Sequence, residues 1–224
     1  TFMSYLVRKA DNFLLEWKSN SDRYPLIIKG ARQVGKTETI RKFAQANYKN
    51  VIEINFITEP VYKSIIEEGF STDSITKLIS RIDPSKHFSA EDTLIFFDEI
   101  QDFPEIATSL KFFKEDGRFD VICSGSLLGV QYHRIASISV GYKMDYQMYS
   151  MDFEEFLWAK GYSEDTMNDM TSHMLTQTPF SSTEHNIFSN LFIEYCILGG
   201  CPPLCLIIYQ RVPLRAHWIY RDNY

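Results

Sequence analysis

Gly30, Gly35, Lys36 and Thr37 are spaced as G-x-x-x-x-G-K-[ST], a pattern that suits the grip on a phosphate chain. The whole contact segment is Gly30, Ala31, Arg32, Gln33, Val34, Gly35, Lys36, Thr37 and Glu38. In such a loop successive backbone N–H groups wrap the phosphates, and the helix that follows turns its positive end toward them. Glycine allows backbone angles and close approaches that a side chain would block. Lys36 is expected to reach the β- and γ-phosphates, and the Thr37 hydroxyl to ligate Mg²⁺.

A second group of oxygens lies further along. Asp98 and Glu99 follow the apolar run Thr93–Phe97. That is the carboxyl end of a strand, where open α/β sheets bind ligands. Asp98 is expected to support the Mg²⁺ shell, and Glu99 to polarise an attacking water. Two adjacent acids can also be a solvated turn, and the upstream loop is what favours the chemical reading. Ser124 and Ser126 follow the next strand, where either hydroxyl could touch a terminal phosphate or the water; a tight Ser-Gly-Ser turn is the alternative. Arg118 and Arg134 are candidate charge stabilisers by position only, and a solvated surface arginine is the simpler reading of each. The sequence has no Asp-x-x-Gly and no Asn-Lys-x-Asp, so ATP is the expected nucleotide rather than GTP.

These groups need a scaffold, and the sequence supplies the signals for one. Leu26–Lys29 reads as the strand before the loop, and Ile40, Phe43 and Ala44 as the inward face of the helix after it. Val51–Phe56 is a second strand, Asp120–Cys123 a fourth and Lys143–Met148 a fifth. The uncharged run before Asp98 is the third, buried on both faces. Helices are expected over Tyr5–Lys18, from Thr58-Glu59-Pro60 to Gly69, around Ile75–Ile82, and from Pro104 to Gly117. Strands alternating with helices imply right-handed crossovers and a parallel, doubly wound sheet. Beyond Ser150, Asp152 with Glu155 reads as a capping pair for a short helix to Lys160. Ser163–Gln177 reads as a helix, Thr178–Thr183 as a loop, and Ile187, Phe188, Leu191, Phe192 and Tyr195 as one side of a last helix. The expected organisation is an N-terminal helix and linker over 1–24, a core over 25–150, and a helical segment over 151–224.

Composition bounds the function. At 224 residues and 45% hydrophobic content, the chain can hold one full α/β domain and part of a second. A net charge of −6 argues against a broad basic surface for nucleic acid. The four cysteines Cys123, Cys196, Cys201 and Cys205 lack paired C-x-x-C spacing, so buried or free thiols are favoured over zinc or a disulfide framework. A reducing, cytoplasmic setting is the simpler one. The uncharged run Tyr195–Gln210 is too short and too interrupted by Gly199, Gly200, Pro202 and Pro203 to span a bilayer.

Taken together, Ile28–Thr37, Phe96–Gln101 and Ser124–Leu128 resemble the prokaryotic AAA+-type ATPases that carry a C-terminal domain of unknown function. Val140–Tyr142, Tyr149–Leu157 and Leu198–Pro202 extend the likeness over Tyr5–Pro203. The resemblance implies a three-layer P-loop NTPase with sheet order 5-1-4-3-2, binding and hydrolysing ATP with Mg²⁺. It implies phosphate contacts at Gly30–Thr37, metal support at Asp98, water activation at Glu99 and sensing at Ser124 or Ser126. The family's C-terminal domain normally continues past the Gly-Gly-x-Pro element. The sequence stops at Tyr224, so that domain is expected to be truncated and Leu206–Tyr224 to pack poorly or promote association. Three functions follow: an ATPase that drives a conformational change, a nucleotide-gated binding switch with little hydrolysis, and a nucleic-acid-stimulated ATPase. ATP is the expected ligand; a protein partner and a homo-oligomer are both compatible with the sequence, and neither is specified by it. No membrane association is expected.

Overall fold

Alternation along the strands decides the architecture. Leu26 and Ile28 of β1 (Leu26–Lys29) point to one apolar cluster, while Ile27 between them points to another. The same split divides Leu94 and Phe96 from Ile95 and Phe97 in β3 (Thr93–Asp98), and Ile122 from Val121 and Cys123 in β4 (Asp120–Gly125). Side chains alternate faces in a strand, so strands apolar at every position need cover on both sides. α1 (Lys9–Ser19) and α2 (Lys36–Asn47) cover one face through Ala10, Leu14, Trp17, Ile40, Phe43 and Ala44. α3 (Thr72–Ile82) and α4 (Ser109–Asp116) cover the other through Ile75, Ile79, Leu110 and Phe113.

The computed structural model describes residues 5–126, 141–202 and 205. With β2 (Asn50–Asn55) and β5 (Met144–Gln147), the five strands are parallel in the order β2-β3-β4-β1-β5, the order expected. β5 pairs with β1, register Leu26 to Met144 and Lys29 to Gln147. The fold is a three-layer α/β P-loop fold followed by helices.

The chain divides into two compact units. One is Ala10–Tyr149, which holds the sheet. The other joins Thr1–Lys9 to Ser150–Tyr224 and holds α5 (Phe153–Ala159), α6 (Glu164–Thr176) and α7 (Ser182–Leu198). In the second unit, Asp152 and Glu155 form the capping box that their spacing predicts. Glu155 also accepts from the backbone N–H of Lys9 at 2.7 Å and pairs with the Arg8 guanidinium at 3.1 Å, so one buried carboxylate ties the N-terminal segment to α5. Gly199 and Gly200 both take positive φ, and a Cβ on Gly200 would lie 2.3 Å from the Met151 carbonyl oxygen. Only glycine fits that corner.

Several elements depart from expectation. Thr58–Gly69 is not an α-helix: a 3₁₀ turn covers Pro60–Ile66, and the N–H of Gly69 closes it on the Ile66 carbonyl. α1 begins at Lys9, not Tyr5. A 3₁₀ segment, Pro104–Thr108, precedes α4. β4 runs on through Ser124 and Gly125, which pair with Ile28 and Lys29, so Ser-Gly-Ser is not a tight turn. Ser181 caps α7 inside the expected loop. Ile187 and Phe192 of α7 are about half exposed, so the apolar spacing located the helix but not its burial. Arg134 and Leu206–Tyr224 lie outside the described residues, as do Leu127, Leu128 and Val140.

Candidate functional site

The topology brings the carboxyl ends of β1, β2, β3 and β4 side by side. The loop after β1 turns through Gln33 at φ 65° and Gly35 at φ 95°, the left-handed region that glycine adopts most easily. Gly30 is tight for a different reason. A Cβ there would sit 2.2 Å from the Met148 carbonyl oxygen, so the loop runs flush against the chain leaving β5. Gly35 stands before α2 and offers no side-chain cap, which leaves the N–H groups of the first helical turn open to an anion. Ala31, Arg32, Gln33 and Glu38 are exposed, and Val34 is buried beneath the loop.

Lys36 is 7% exposed and donates to the loop's own carbonyls, Gly30 O at 3.0 Å and Ala31 O at 2.7 Å. Burial lowers its pKa, opposed by the nearby charges of Glu99 and Asp98 and aided by that of Arg32. An anion arriving at the loop would restore what desolvation takes away.

Asp98 is the hub of the cluster. It is 3% exposed, and its carboxylate accepts from Thr37 Oγ1 at 3.2 Å, Asn55 Nδ2 at 3.0 Å, the Glu99 N–H at 3.0 Å and the Ser124 hydroxyl. Each comes from a different place: the start of α2, the end of β2, the next residue, and β4. Strand register sets Asn55 beside Asp98, and Ser124 beside Ile28 in the strand leading to the loop. Among the described residues every hydrogen-bond donor to Asp98 is neutral. A carboxylate so held has its oxygens fixed in direction and its polar atoms satisfied in a buried place.

Glu99 takes a left-handed backbone, φ 56° and ψ 45°, an uncommon place for a residue with a side chain. Its carboxylate accepts from Gln101 Nε2, while Gln101 Oε1 accepts from the Ser126 N–H at 3.1 Å. Ser126 Oγ is buried and, among the described residues, has no hydrogen-bond partner. The two serines thus differ: the Ser124 hydroxyl is committed to Asp98, and that of Ser126 is uncommitted.

The expected residues gather at one sheet edge, with two exceptions. Arg118 is bound to Asp116 and Asp73 by ion pairs and makes none with the cluster, and Arg134 is outside the described residues. Sequence reasoning missed Asn55 and Gln101. Asn55 ends a strand of β-branched residues, and an amide at the carboxyl end of a strand was the only available signal. Among the described residues no group of three or more His, Cys, Asp or Glu is placed to hold a metal.

The family model described as AAA domain matches residues 22–157. The chain belongs to the AAA domain family. The match spans the phosphate loop, the Asp98 cluster and the first part of α5, and at the level of the family it makes this a nucleotide-binding ATPase fold. No curated protein matches the chain. Among solved structures, the AAA domain here is similar to Drosophila ORC bound to DNA, at 15% identity and TM-score 0.48, covering 89% of this chain and 58% of that one. It is also similar to the Aeropyrum pernix ORC1 protein in complex with DNA, at 13% identity and TM-score 0.45, covering 69% and 48%. C. elegans PCH-2 is similar at 10% identity and TM-score 0.42, covering 78% and 49%. The chain spans about half the length of these structures. Among the described residues no helix is long and apolar enough to cross a membrane.

Proposed function

We propose that this AAA domain binds ATP with Mg²⁺ at Gly30–Thr37 and hydrolyses it to drive a conformational change. One observation carries the reading: the buried Asp98 carboxylate lies 3.2 Å from the Thr37 hydroxyl, with neutral donors around it. Two hard oxygen donors, one of them charged, fit the preference of Mg²⁺ for oxygen and for one or two carboxylates beside phosphate. Thr37 and Asp98 would hold that ion, which when bound neutralises charge on the terminal phosphates.

The remaining steps belong to the chain itself. Lys36 exchanges Gly30 O and Ala31 O for phosphate oxygens, and the open N–H groups of the loop and α2 hold the rest of the phosphate chain. Glu99 orients a water and accepts its proton as the γ-phosphate leaves ADP. Ser124 fixes the Asp98 carboxylate. That leaves Ser126 Oγ, buried and without a partner among the described residues, as the hydroxyl best suited to sense the terminal phosphate. The Phe153–Leu157 helix start and the Gly199-Gly200 corner support the narrower kinship with prokaryotic ATPases that carry an additional C-terminal domain.

The test is phosphate release and calorimetric ATP binding for the parent, Lys36→Ala and Glu99→Gln. Lys36→Ala should lose tight binding. Glu99→Gln should bind ATP within a few-fold and turn over about 10²-fold more slowly. Equal ATP affinity in Lys36→Ala would remove the loop assignment. A parent that never turns over, with or without nucleic acid, would replace the enzyme with a nucleotide-gated switch.

A further inference from the structure

Gln101 stands two residues beyond Glu99 and uses both ends of its amide. Its Nε2 donates to Glu99 Oε2, and its Oε1 accepts the Ser126 N–H at 3.1 Å. The orientation is forced. A backbone N–H can only donate, so the amide oxygen must face Ser126 and the NH₂ must face the carboxylate. The backbone supports the same arrangement. Glu99 turns left-handed, a 3₁₀ turn over Ile100–Asp102 follows, and Asp102 N–H returns to the Glu99 carbonyl at 3.0 Å. Ile100 is fully buried and anchors that turn in the core, which swings the Gln101 side chain back over Glu99. Ser126, at the other end of the bridge, carries the buried hydroxyl that has no partner among the described residues.

We infer that Gln101 is a positioning residue that aims the Glu99 carboxylate and couples it to the chain leaving β4. The inference rests on the hydrolytic reading of Glu99. By taking one carboxylate oxygen, Gln101 leaves the other to face the water, and a planar group held at one oxygen has few orientations left. By taking the Ser126 N–H, it makes the aim of Glu99 depend on where Ser126 sits. A contact at the Ser126 hydroxyl is therefore felt at the carboxylate through one side chain. Asn in its place would be one methylene too short for both bonds, and Glu could not donate to Glu99.

The experiment uses the full chain and steady-state ATP turnover. Gln101→Met keeps the length and loses both hydrogen bonds. It should lower kcat by about tenfold while KM and calorimetric ATP affinity stay within about twofold, the mark of lost alignment rather than lost binding. Gln101→Glu should fall at least as far, because it keeps an acceptor for Ser126 but sets a second carboxylate against Glu99. In a Glu99→Gln background neither change should cost more turnover, since the group being aimed is gone. Parental kcat in both single variants would overturn the proposal. So would an equal loss in the Glu99→Gln background, which would mark a purely structural role. Parental turnover in Glu99→Gln alone would instead overturn the hydrolytic reading beneath it.

Discussion

Two aspartates stand at opposite ends of the same sheet, and they are held in opposite ways. Asp120 opens β4 at the amino end, where the Arg23 guanidinium grips it with two bonds of 2.6 and 2.8 Å and the Tyr48 hydroxyl adds a third at 2.7 Å. Its charge is matched by a cation in fork geometry, and the pKa of Arg23 rises in return, chiefly through that hydrogen bond. Burial, with the Asp120 charge beside it, pushes the Tyr48 phenol far up, so it stays a neutral donor. Asp98 closes β3 at the carboxyl end with three neutral side chains and a backbone N–H. The first carboxylate is neutralised and so is structural. The second is oriented by neutral donors with no cation in hydrogen-bond contact among the described residues, an arrangement that suits the proposed metal role.

The comparison breaks most visibly at Asp98. Asp98→Asn should cut ATP turnover by about 10²-fold or more and weaken the Mg²⁺-dependent part of binding, while the melting temperature moves little. A large melting shift with activity kept would make Asp98 structural as well. Next in size is Gly30→Ala. The added Cβ meets a backbone oxygen that cannot swing away, so a stability loss of up to about 3 kcal/mol is expected by thermal unfolding, together with weaker ATP binding. Wild-type stability there would show that the loop does not run flush against β5. Asp120→Asn should behave inversely to Asp98→Asn. Loss of the charged fork is expected to cost about 2 kcal/mol of stability, with ATP affinity unchanged by calorimetry. Tyr48→Phe removes one bond from that same cluster and should cost about 1 kcal/mol, again without effect on nucleotide. If Asp120→Asn or Tyr48→Phe altered ATP affinity tenfold, the two ends of the sheet would be coupled and the contrast lost.

The scaffold was legible because its signals are local. Runs of β-branched and aromatic residues marked the strands to within two residues, and the glycine-lysine spacing marked the loop. The meeting of Thr37 with Asp98 was implied only through a shared Mg²⁺, and the Ser124–Asp98 bond was not anticipated, since it depends on strand order. Asn55 and Gln101 escaped because their significance is wholly tertiary. An amide two residues past an acid means nothing until β4 ends beside it, and Asn55 meets Asp98 only through the β2–β3 register. Prolines read as helix starts instead opened 3₁₀ turns at Pro60 and Pro104, because Pro fits the first turn of either. In α7 the apolar spacing does not report burial, since Ile193 and Ile197 are exposed beside residues of similar hydrophobicity that are not.

The left-handed backbone of Glu99 sets the demands of endurance and of chemistry against each other at a single position. Glycine would relax that conformation, and Glu99→Gly could gain about 1 kcal/mol of folding stability. The same change would delete the carboxylate on which turnover is proposed to depend. Variants sorted only for survival on heating would be drawn toward glycine at 99 and would become dead enzymes that melt late. A lineage that keeps glutamate there is being held by use, against the preference of its own backbone.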